Sequence, residues 1–263
     1  MKKYFFIYKS ELMSNLQYIF DIITSFIGCV IFIYIFFNLW QYIYSDPNEL
    51  INGYNMSQMI WYVIITEVIW MSTEGRKFCK KICNDVRGGN IIYNINKPYS
   101  YIGYCLSSHL GNVTIKLIIY LILGIVMGIL FLHEIPTFSF ISIFAILLTI
   151  ILSIVISTLI ITCIGLLSFY IEDANPFFWL YSKVILVLGT IFPIEYFPKL
   201  IQSILKFSPV YVVSYGPSKL FVDFSWYNFI LVLIAQIIYI VIAYLLCSLL
   251  YKKGVKRLNV NGG

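Results

Sequence analysis

The stretch Ile135–Ile171, IPTFSFISIFAILLTIILSIVISTLIITCIGLLSFYI, runs for 37 residues without a charged side chain. A bilayer core is crossed by roughly 18 or more apolar residues in a helix. A single helix over the whole stretch would be about 55 Å long against a core of about 30 Å, so we expect tilt or a break near Gly165. Ile22–Ser45 and Leu117–Leu132 also lack charge. The chain is therefore predicted to be an integral, multi-span membrane protein.

Composition excludes an ordinary soluble fold. Of the 263 residues, 60% are hydrophobic and 11% are charged, against about 25% charged in a typical soluble chain. The formal net charge is +6, but the basic residues lie at the edges of apolar segments. That placement indicates membrane orientation, and no nucleic-acid partner is expected. The six cysteines are scattered without the spacing of a zinc site, so no metal site is expected either.

Apolar runs between clusters of charge predict an all-α membrane protein with six transmembrane helices. Glu67 interrupts the second run and Lys183 the fifth, which leaves short uncharged stretches there. Residues 1–17 carry apolar residues at helical spacing and predict an interfacial helix leading into the first span. The predicted spans lie at about residues 18–44, 55–72, 110–132, 138–165, 177–194 and 226–251.

Lysine and arginine are distributed unequally among the connections. Thirteen lie in the N-terminal stretch, the second connection and the C-terminal tail, and three, Lys199, Lys206 and Lys219, lie on the other side. Lys116 and Lys183 fall within spans. The positive-inside rule therefore places both termini and residues 73–100 in the cytosol, which agrees with an even number of spans.

Two connections are long enough to carry structure of their own. Residues 73–100 are basic at first and continue through Gly88-Gly89 to an apolar stripe, which predicts a short helix under the membrane. That helix either binds anionic lipid or docks a cytosolic partner. Residues 195–225 are apolar and rich in proline, and they predict a re-entrant or interfacial hairpin in the outer leaflet. Leu200, Ile201, Ile204 and Leu205 lie at helical spacing in this segment.

The chemistry of an enzyme is missing from the sequence. His109 and His133 are separated by about a membrane thickness on one predicted helix and cannot share a site. No hydrolase or metalloprotease motif appears, and no phosphate-binding loop. If ATP drives this protein, another chain binds it.

Ionisable residues inside predicted spans are functional candidates because they are costly there. Glu67, Lys116 and Lys183 all fall in the cytosolic third. Either the lysines extend to the inner interface and Glu67 pairs with one of them, or the group contacts substrate or relays protons. Gly124-x-x-x-Gly128 allows close helix approach, either within the chain or at a dimer seam.

Local motifs narrow the interpretation. Gly89-Asn-Ile91 is followed by Ile95-Asn-Lys97-Pro98, and Phe192-Pro193 by Pro198, Ser208-Pro209 and Tyr215-Gly-Pro217; the chain ends with Gly254-Val-Lys-Arg257 and Gly262-Gly263. With six spans, this pattern resembles the permease subunit of a bacterial ATP-binding-cassette exporter of the ABC-2 type, in the branch known simply as the ABC-2 family.

The resemblance implies a full transporter of two permease chains, alike or paralogous, and two copies of an ABC ATPase. ATP and Mg²⁺ would bind to the ATPase, and no cofactor to this chain. Residues 73–100 would contain the cytosolic coupling helix between spans 2 and 3, and Pro193, Pro198, Pro209 and Pro217 would mark a re-entrant hairpin before span 6. The implied docking residues are Arg87, Gly89, Ile91, Ile92, Ile95, Lys97 and Pro98.

The resemblance also implies a location and a cargo. The location is the bacterial cytoplasmic membrane. The cargo would be amphipathic, such as drugs, antimicrobial peptides or lipid-like molecules, with a role in multidrug or bacteriocin resistance. A permease for a polysaccharide or lipid-linked glycan is the second interpretation. From other classes, a secondary transporter or channel predicts inverted repeats, and a lipid-modifying enzyme predicts an acid–base cluster; neither is found in the sequence.

Overall fold

The computed structural model describes residues 2–46, 49–73, 75–136 and 138–261, without the side chains of Ile19, Ile95 and residues 258–261. The described chain is all-helical apart from its connections. Short 3₁₀ turns cover Leu167–Phe169 and Ile194–Tyr196, and π-helical segments cover Leu186–Ile191 and Tyr211–Tyr215. The α-helices are α1 (Lys2–Leu16), α2 (Ile19–Ile43), α3 (Met56–Thr73), α4 (Gly75–Arg87), α5 (Ile91–Ile95), α6 (Tyr101–Leu132), α7 (Phe140–Leu166), α8 (Asn175–Ile185), α9 (Lys199–Lys206), α10 (Gly216–Val222) and α11 (Trp226–Asn261).

Four helical stretches of the described chain are long and apolar enough to cross a membrane, where the sequence predicts six. They are Phe20–Ile43, Tyr101–Leu132, Phe140–Phe169 and Trp226–Arg257. They correspond to the predicted first, third, fourth and sixth spans. The longest uncharged stretch forms one α-helix that ends at Leu166, beside Gly165.

The other two predicted spans differ from these four for identifiable reasons. α3 carries Glu67 and Thr66 within only 18 residues, and most of its side chains are covered by other helices of the chain rather than facing outward. α8 and the π segment after it form a helix of 17 residues, Asn175–Ile191. Such a helix is about 25 Å long, short of a bilayer core of about 30 Å.

One end of the molecule, here called the basic end, contains α1, α4, α5 and the last turns of α11. Lys3 of α1 donates to the Pro98 carbonyl, and Ser108 donates to Glu11 at 2.8 Å. Tyr101, the first residue of α6, stacks on Tyr251 of α11 with ring centroids 5.5 Å apart. The two ends of the described chain therefore lie at the same end of the molecule.

The other end, here called the hairpin end, contains the α2–α3 connection and residues 192–226. The Tyr44 hydroxyl donates to the Tyr54 carbonyl at 2.8 Å, and the Trp40 ring lies 6.0 Å from that of Phe192. α3 leads from the hairpin end, beside Tyr54, to α4 at the basic end, and the helix Asn175–Ile191 leads from the basic end, beside Asp173, to Phe192 at the hairpin end.

Gly124 and Gly128 allow α6 to lie against α3. A Cβ at Gly124 would stand 2.9 Å from Val68, and a Cβ at Gly128 would overlap the Trp61 ring. Side chains of α3 therefore cover both glycines. Of the two alternatives for this motif, packing within the chain and a dimer seam, the contacts agree with the first. The close approach places α3 at the centre of the helical bundle.

Candidate docking surface and transport clefts

α4 has one apolar and one basic side. Its apolar residues recur at helical spacing and are buried, as at Phe78, Ile82 and Val86. Between them lie exposed cations, among them Arg76 and Lys80. This pattern fixes α4 against the bundle with its charged side outward.

α4 lies unusually close to α7 at two points. A Cβ at Gly75 would stand 2.8 Å from Ile161 of α7, and a Cβ at Gly165 of α7 would stand 2.8 Å from Ile82. The end of α4 is also joined to the chain before α8 by an ion pair between Arg87 and Asp173 at 3.3 Å. A displacement of α4 therefore acts directly on α7 and α8, because close-packed interiors transmit strain.

The turn from α4 into α5 requires glycine. Gly89 has a φ of +72°, in the left-handed region that L side chains rarely adopt. Gly89 therefore has a conformational role in this turn, in addition to the docking role that the resemblance implies.

The structure separates the predicted docking residues of α5. Ile91 is buried in the chain's own core, whereas Ile92 is 51% exposed and Tyr93 is 73% exposed. The side chain of Ile95 lies outside the described side chains. Because a buried side chain cannot contact a partner, Ile91 is not available for docking, and the exposed apolar side chains of α5 are Ile92 and Tyr93.

The remaining predicted docking residues lie at the basic end. Arg87 is engaged with Asp173, as described above. Lys97 is exposed and lies over the Tyr99 ring at 5.7 Å, and Pro98 accepts from Lys3. These residues thus lie at the basic end, with Arg87 beside the chain before α8 and Pro98 beside α1.

A cleft of about 780 Å³ lies beside this face, where α3 passes into α4 and α8 begins. Its walls combine cations with large aromatic rings. Lys183, one of the three predicted intramembrane groups, lies over the Trp179 ring at 5.8 Å. Such a lining suits a molecule with an apolar body and an anionic group. The residues that give the cleft this character are Trp70, Arg76, Lys80, Phe178, Trp179 and Lys183.

Glu67 and Lys116 lie elsewhere. Both are buried, at 1% and 6% exposure, and neither lines the cleft. The Glu67 Oε2 accepts no hydrogen bond from the described residues. The three predicted intramembrane groups therefore do not form one site, and the pairing of Glu67 with a lysine stays a prediction.

A polar network that was not predicted from the sequence lies at the hairpin end. Glu195 accepts from the Tyr54 hydroxyl at 3.0 Å and from the Tyr215 hydroxyl at 2.5 Å. The Tyr44 and Tyr196 hydroxyls are 3.0 Å apart beside it. Burial raises the pKa of Tyr54 above its usual range, so this hydroxyl keeps its proton and donates. In the sequence, the one signal for this network was Glu195, an isolated carboxylate in an aromatic segment.

The two π-helical segments meet near the middle of the bundle. The Tyr62 hydroxyl donates to the Gly189 carbonyl at 2.6 Å, and the Gln236 amide donates to the Val212 carbonyl at 3.0 Å. A Cβ at Gly189 would overlap Ser214, so only glycine permits this approach. π-helical turns often mark functional sites, and here side chains from α3 and α11 satisfy their carbonyls.

Residues 192–222 form a hairpin of helical segments. The four predicted prolines each lie at the start of a segment: Pro193 before the 3₁₀ turn, Pro198 before α9, Pro209 before the π segment and Pro217 in the first turn of α10. Proline suits the first three positions because the first backbone amides of a helix have no internal partner, whereas Pro217 follows the π segment without a break in the helix.

The tip of this hairpin lies far along α11. The Tyr239 hydroxyl donates to the Phe207 carbonyl just after α9. Tyr239 stands 13 residues after Trp226, where α11 begins, which is about 20 Å along a helix. α9 therefore leads inward from the hairpin end, and residues 209–222 lead back.

Comparison with known proteins supplies the family. No curated protein matches the chain. The model of the family described as "ABC-2 family transporter protein" matches residues 31–262, which is most of the chain. The match spans all four apolar candidate spans apart from the start of the first, as well as α4, α5 and the hairpin. The chain belongs to the ABC-2 family of transporter proteins and is a multi-pass membrane protein.

Proposed function

We propose that this chain is the permease subunit of an ATP-driven exporter and that its ATPase docks on α5 and the basic side of α4. One observation carries the proposal: α5 exposes Ile92 and Tyr93 directly beside a helix that is packed tightly on α7 and α8. An exposed apolar pair next to a basic face suits a protein partner.

The packing supplies a route for mechanical work. A partner that closes on ATP would displace α5 and α4 together, since a short turn at Gly89 joins them. α4 would then push α7 through the Gly75 and Gly165 contacts and α8 through Arg87. ATP and Mg²⁺ belong to the ATPase in this proposal. Two permease chains, alike or paralogous, would face one another.

Six membrane spans are part of the same proposal. α3 and α8 run between the same two ends as the four long apolar helices. α3 is surrounded by the chain, so its polar residues need not face lipid. The basic end would lie in the bacterial cytosol, as thirteen against three cations in the connections favour.

The cargo we propose is amphipathic. The cleft at the basic end offers cations beside two tryptophans, and it opens next to the docking face. An apolar molecule with an anionic group would be held there by both kinds of contact. The cleft would be the entrance, and the hairpin end the exit.

The docking assignment can be tested with a tagged chain. We expect wild-type protein to co-purify with a soluble ATPase that carries a phosphate-binding loop. Ile92→Asp with Tyr93→Asp should reduce the ATPase recovered by about tenfold or more, because charge replaces the apolar contact, a loss on the order of 1.4 kcal/mol.

Leu50→Asp provides the control, since Leu50 is 67% exposed at the hairpin end. This variant should recover the ATPase like wild type. Membrane insertion of all variants is checked by fractionation. Equal recovery from the α5 double variant and the wild type would refute docking at α5.

A further inference from the structure

A second cavity, of about 360 Å³, lies under the hairpin. It is enclosed by the 3₁₀ turn, α9, the returning arm of the hairpin and the first turns of α11. Its lining is unlike that of a lipid-filled groove, because it holds two lysines among amide and phenol groups. The polar side chains that carry the argument are Lys206, Tyr211, Lys219, Tyr227 and Asn228.

The two lysines of the cavity differ in whether they pair with an acidic side chain. Lys219 is held: its side chain is 15% exposed, pairs with Asp223 at 3.0 Å and lies 4.3 Å from the centre of the Tyr54 ring. Lys206 forms no ion pair with any other residue that the structure describes. Glu195 also lines the cavity, but both of its carboxylate oxygens already accept from tyrosines.

The position of Lys206 beside an apolar span favours a bound counter-ion. Lys206 is the last residue of α9, and the cavity that it lines reaches the first turns of α11 at Tyr227 and Leu231. α11 is one of the four apolar candidate spans. A cation beside such a span normally pairs with another group or lines a cavity.

Exposed apolar side chains lie at and near the cavity. Leu231 of α11 lines it and is 42% exposed, and Ile204 of α9, two residues before Lys206, is 63% exposed. A molecule that placed a polar group beside Lys206 would therefore lay its apolar part between α9 and α11, toward lipid.

We infer that this cavity binds the phosphate headgroup of an amphiphile, with Lys206 as its counter-ion and the tail between α9 and α11. Tyr211, Tyr227 and Asn228 offer further hydrogen-bond donors to phosphate oxygens. Phosphate fits because a single site presents an ammonium group together with neutral donors. This inference goes beyond the proposed function, since binding here requires neither ATP nor a partner.

Native mass spectrometry of the detergent-purified chain, without ATPase, tests the site. The probes are lysophosphatidic acid, a fatty alcohol of equal chain length, and inorganic phosphate. Wild type should retain lysophosphatidic acid over the alcohol. Lys206→Gln should weaken that binding about tenfold, because the charge-assisted hydrogen bond to the headgroup is lost.

Lys199→Gln is the matched control, since Lys199 lies on the same helix but does not line the cavity. It should bind like wild type. Thermal melting checks that each variant is folded. Equal loss in both variants, no loss in Lys206→Gln, or binding of inorganic phosphate as tight as that of the lipid would each overturn the inference. None of these results bears on ATPase docking, so the two proposals fail separately.

Discussion

The basic end and the hairpin end are held together by different kinds of contact. At the basic end, α4 lies on α7 through apolar side chains against Gly75 and Gly165, and its ion pair to Asp173 is at the surface. At the hairpin end, tyrosine hydroxyls donate to Glu195 and to backbone carbonyls. Apolar packing divides its stabilisation among many weak contacts, whereas a hydrogen-bond network concentrates it in a few directed ones.

This difference suits the two ends to different tasks. A closely packed helix moves with its neighbours, so the basic end can pass a displacement on without being reshaped. The hairpin end can rearrange by exchanging a few hydrogen bonds. The contrast also makes the hairpin end the more sensitive to loss of a single side chain.

The largest effect expected is that of Glu195→Ala. Two tyrosine hydroxyls, those of Tyr54 and Tyr215, would lose their acceptor while their side chains stay buried. Each unsatisfied buried donor costs about 1–3 kcal/mol, so we expect a loss of roughly 2–5 kcal/mol in the free energy of unfolding. Denaturant titration in mixed micelles measures it.

Glu172→Ala removes an exposed carboxylate at the basic end and should leave the unfolding free energy within about 0.5 kcal/mol. Adding Tyr54→Phe to Glu195→Ala should cost little more, because the unpaired hydroxyl is then gone. Fully additive losses from the two changes would show that the network does not act as a unit.

Gly165→Leu is expected to have the next largest effect, at the basic end. The new side chain would meet Ile82 and force α4 away from α7, and overpacking of this kind costs about 1–3 kcal/mol. ATP-dependent transport should fall more than stability, because the contact that passes the displacement is lost. Thermal melting measures the loss of stability, and ATP-dependent efflux of an amphipathic anion measures the loss of transport.

Gly28→Leu is the control for that change, since no atom lies within 4 Å of a Cβ at Gly28. It should leave both melting and transport near wild type. If Gly165→Leu behaved the same way, close packing of α4 on α7 would not be needed.

The smallest effect expected is that of Asp173→Asn. Hydrogen bonds from the Asn175 backbone, together with Arg87, lower the pKa of Asp173. A lowered pKa contributes stability above the unfolded pKa of about 3.9, and this contribution is lost as pH falls through the folded value. The wild type should therefore melt slightly above the variant at pH 7, and this difference should shrink as the pH falls below about 3.9. If the difference in melting temperature between the two proteins grew on acidification, the predicted direction of the pKa shift would be wrong.

Parts of this structure could be predicted from the sequence because their cause is local. The uncharged run Ile135–Ile171 predicts a long helix, and α7 occupies most of it. The side of α5 that faces outward could not be read locally, because Ile91 and Ile92 are equally apolar. Only the tertiary structure decides it, because Ile91 joins a buried cluster with residues of α4, α6, α7 and α11 whereas Ile92 stays exposed.

The number of membrane spans is a second feature that local sequence does not decide. Hydropathy identifies the helices that face lipid, and four helical stretches of the described chain meet that criterion. α3 falls short of it because it is covered by protein, and hydropathy says little about a helix whose surroundings are other helices. The Glu195 network was beyond sequence analysis because its partners lie 20 and 141 residues away.

The sequence by itself determined the all-helical membrane character of this protein, the asymmetry of its charge and the motifs of its family, since each follows from residue type and short-range periodicity. The tertiary structure alone decided that α4 lies rigidly on α7, that Tyr93 and Ile92 face outward, and that a lysine reaches the cavity under the hairpin. These features depend on which distant segments meet, and chain folding sets those contacts through packing that no local pattern records.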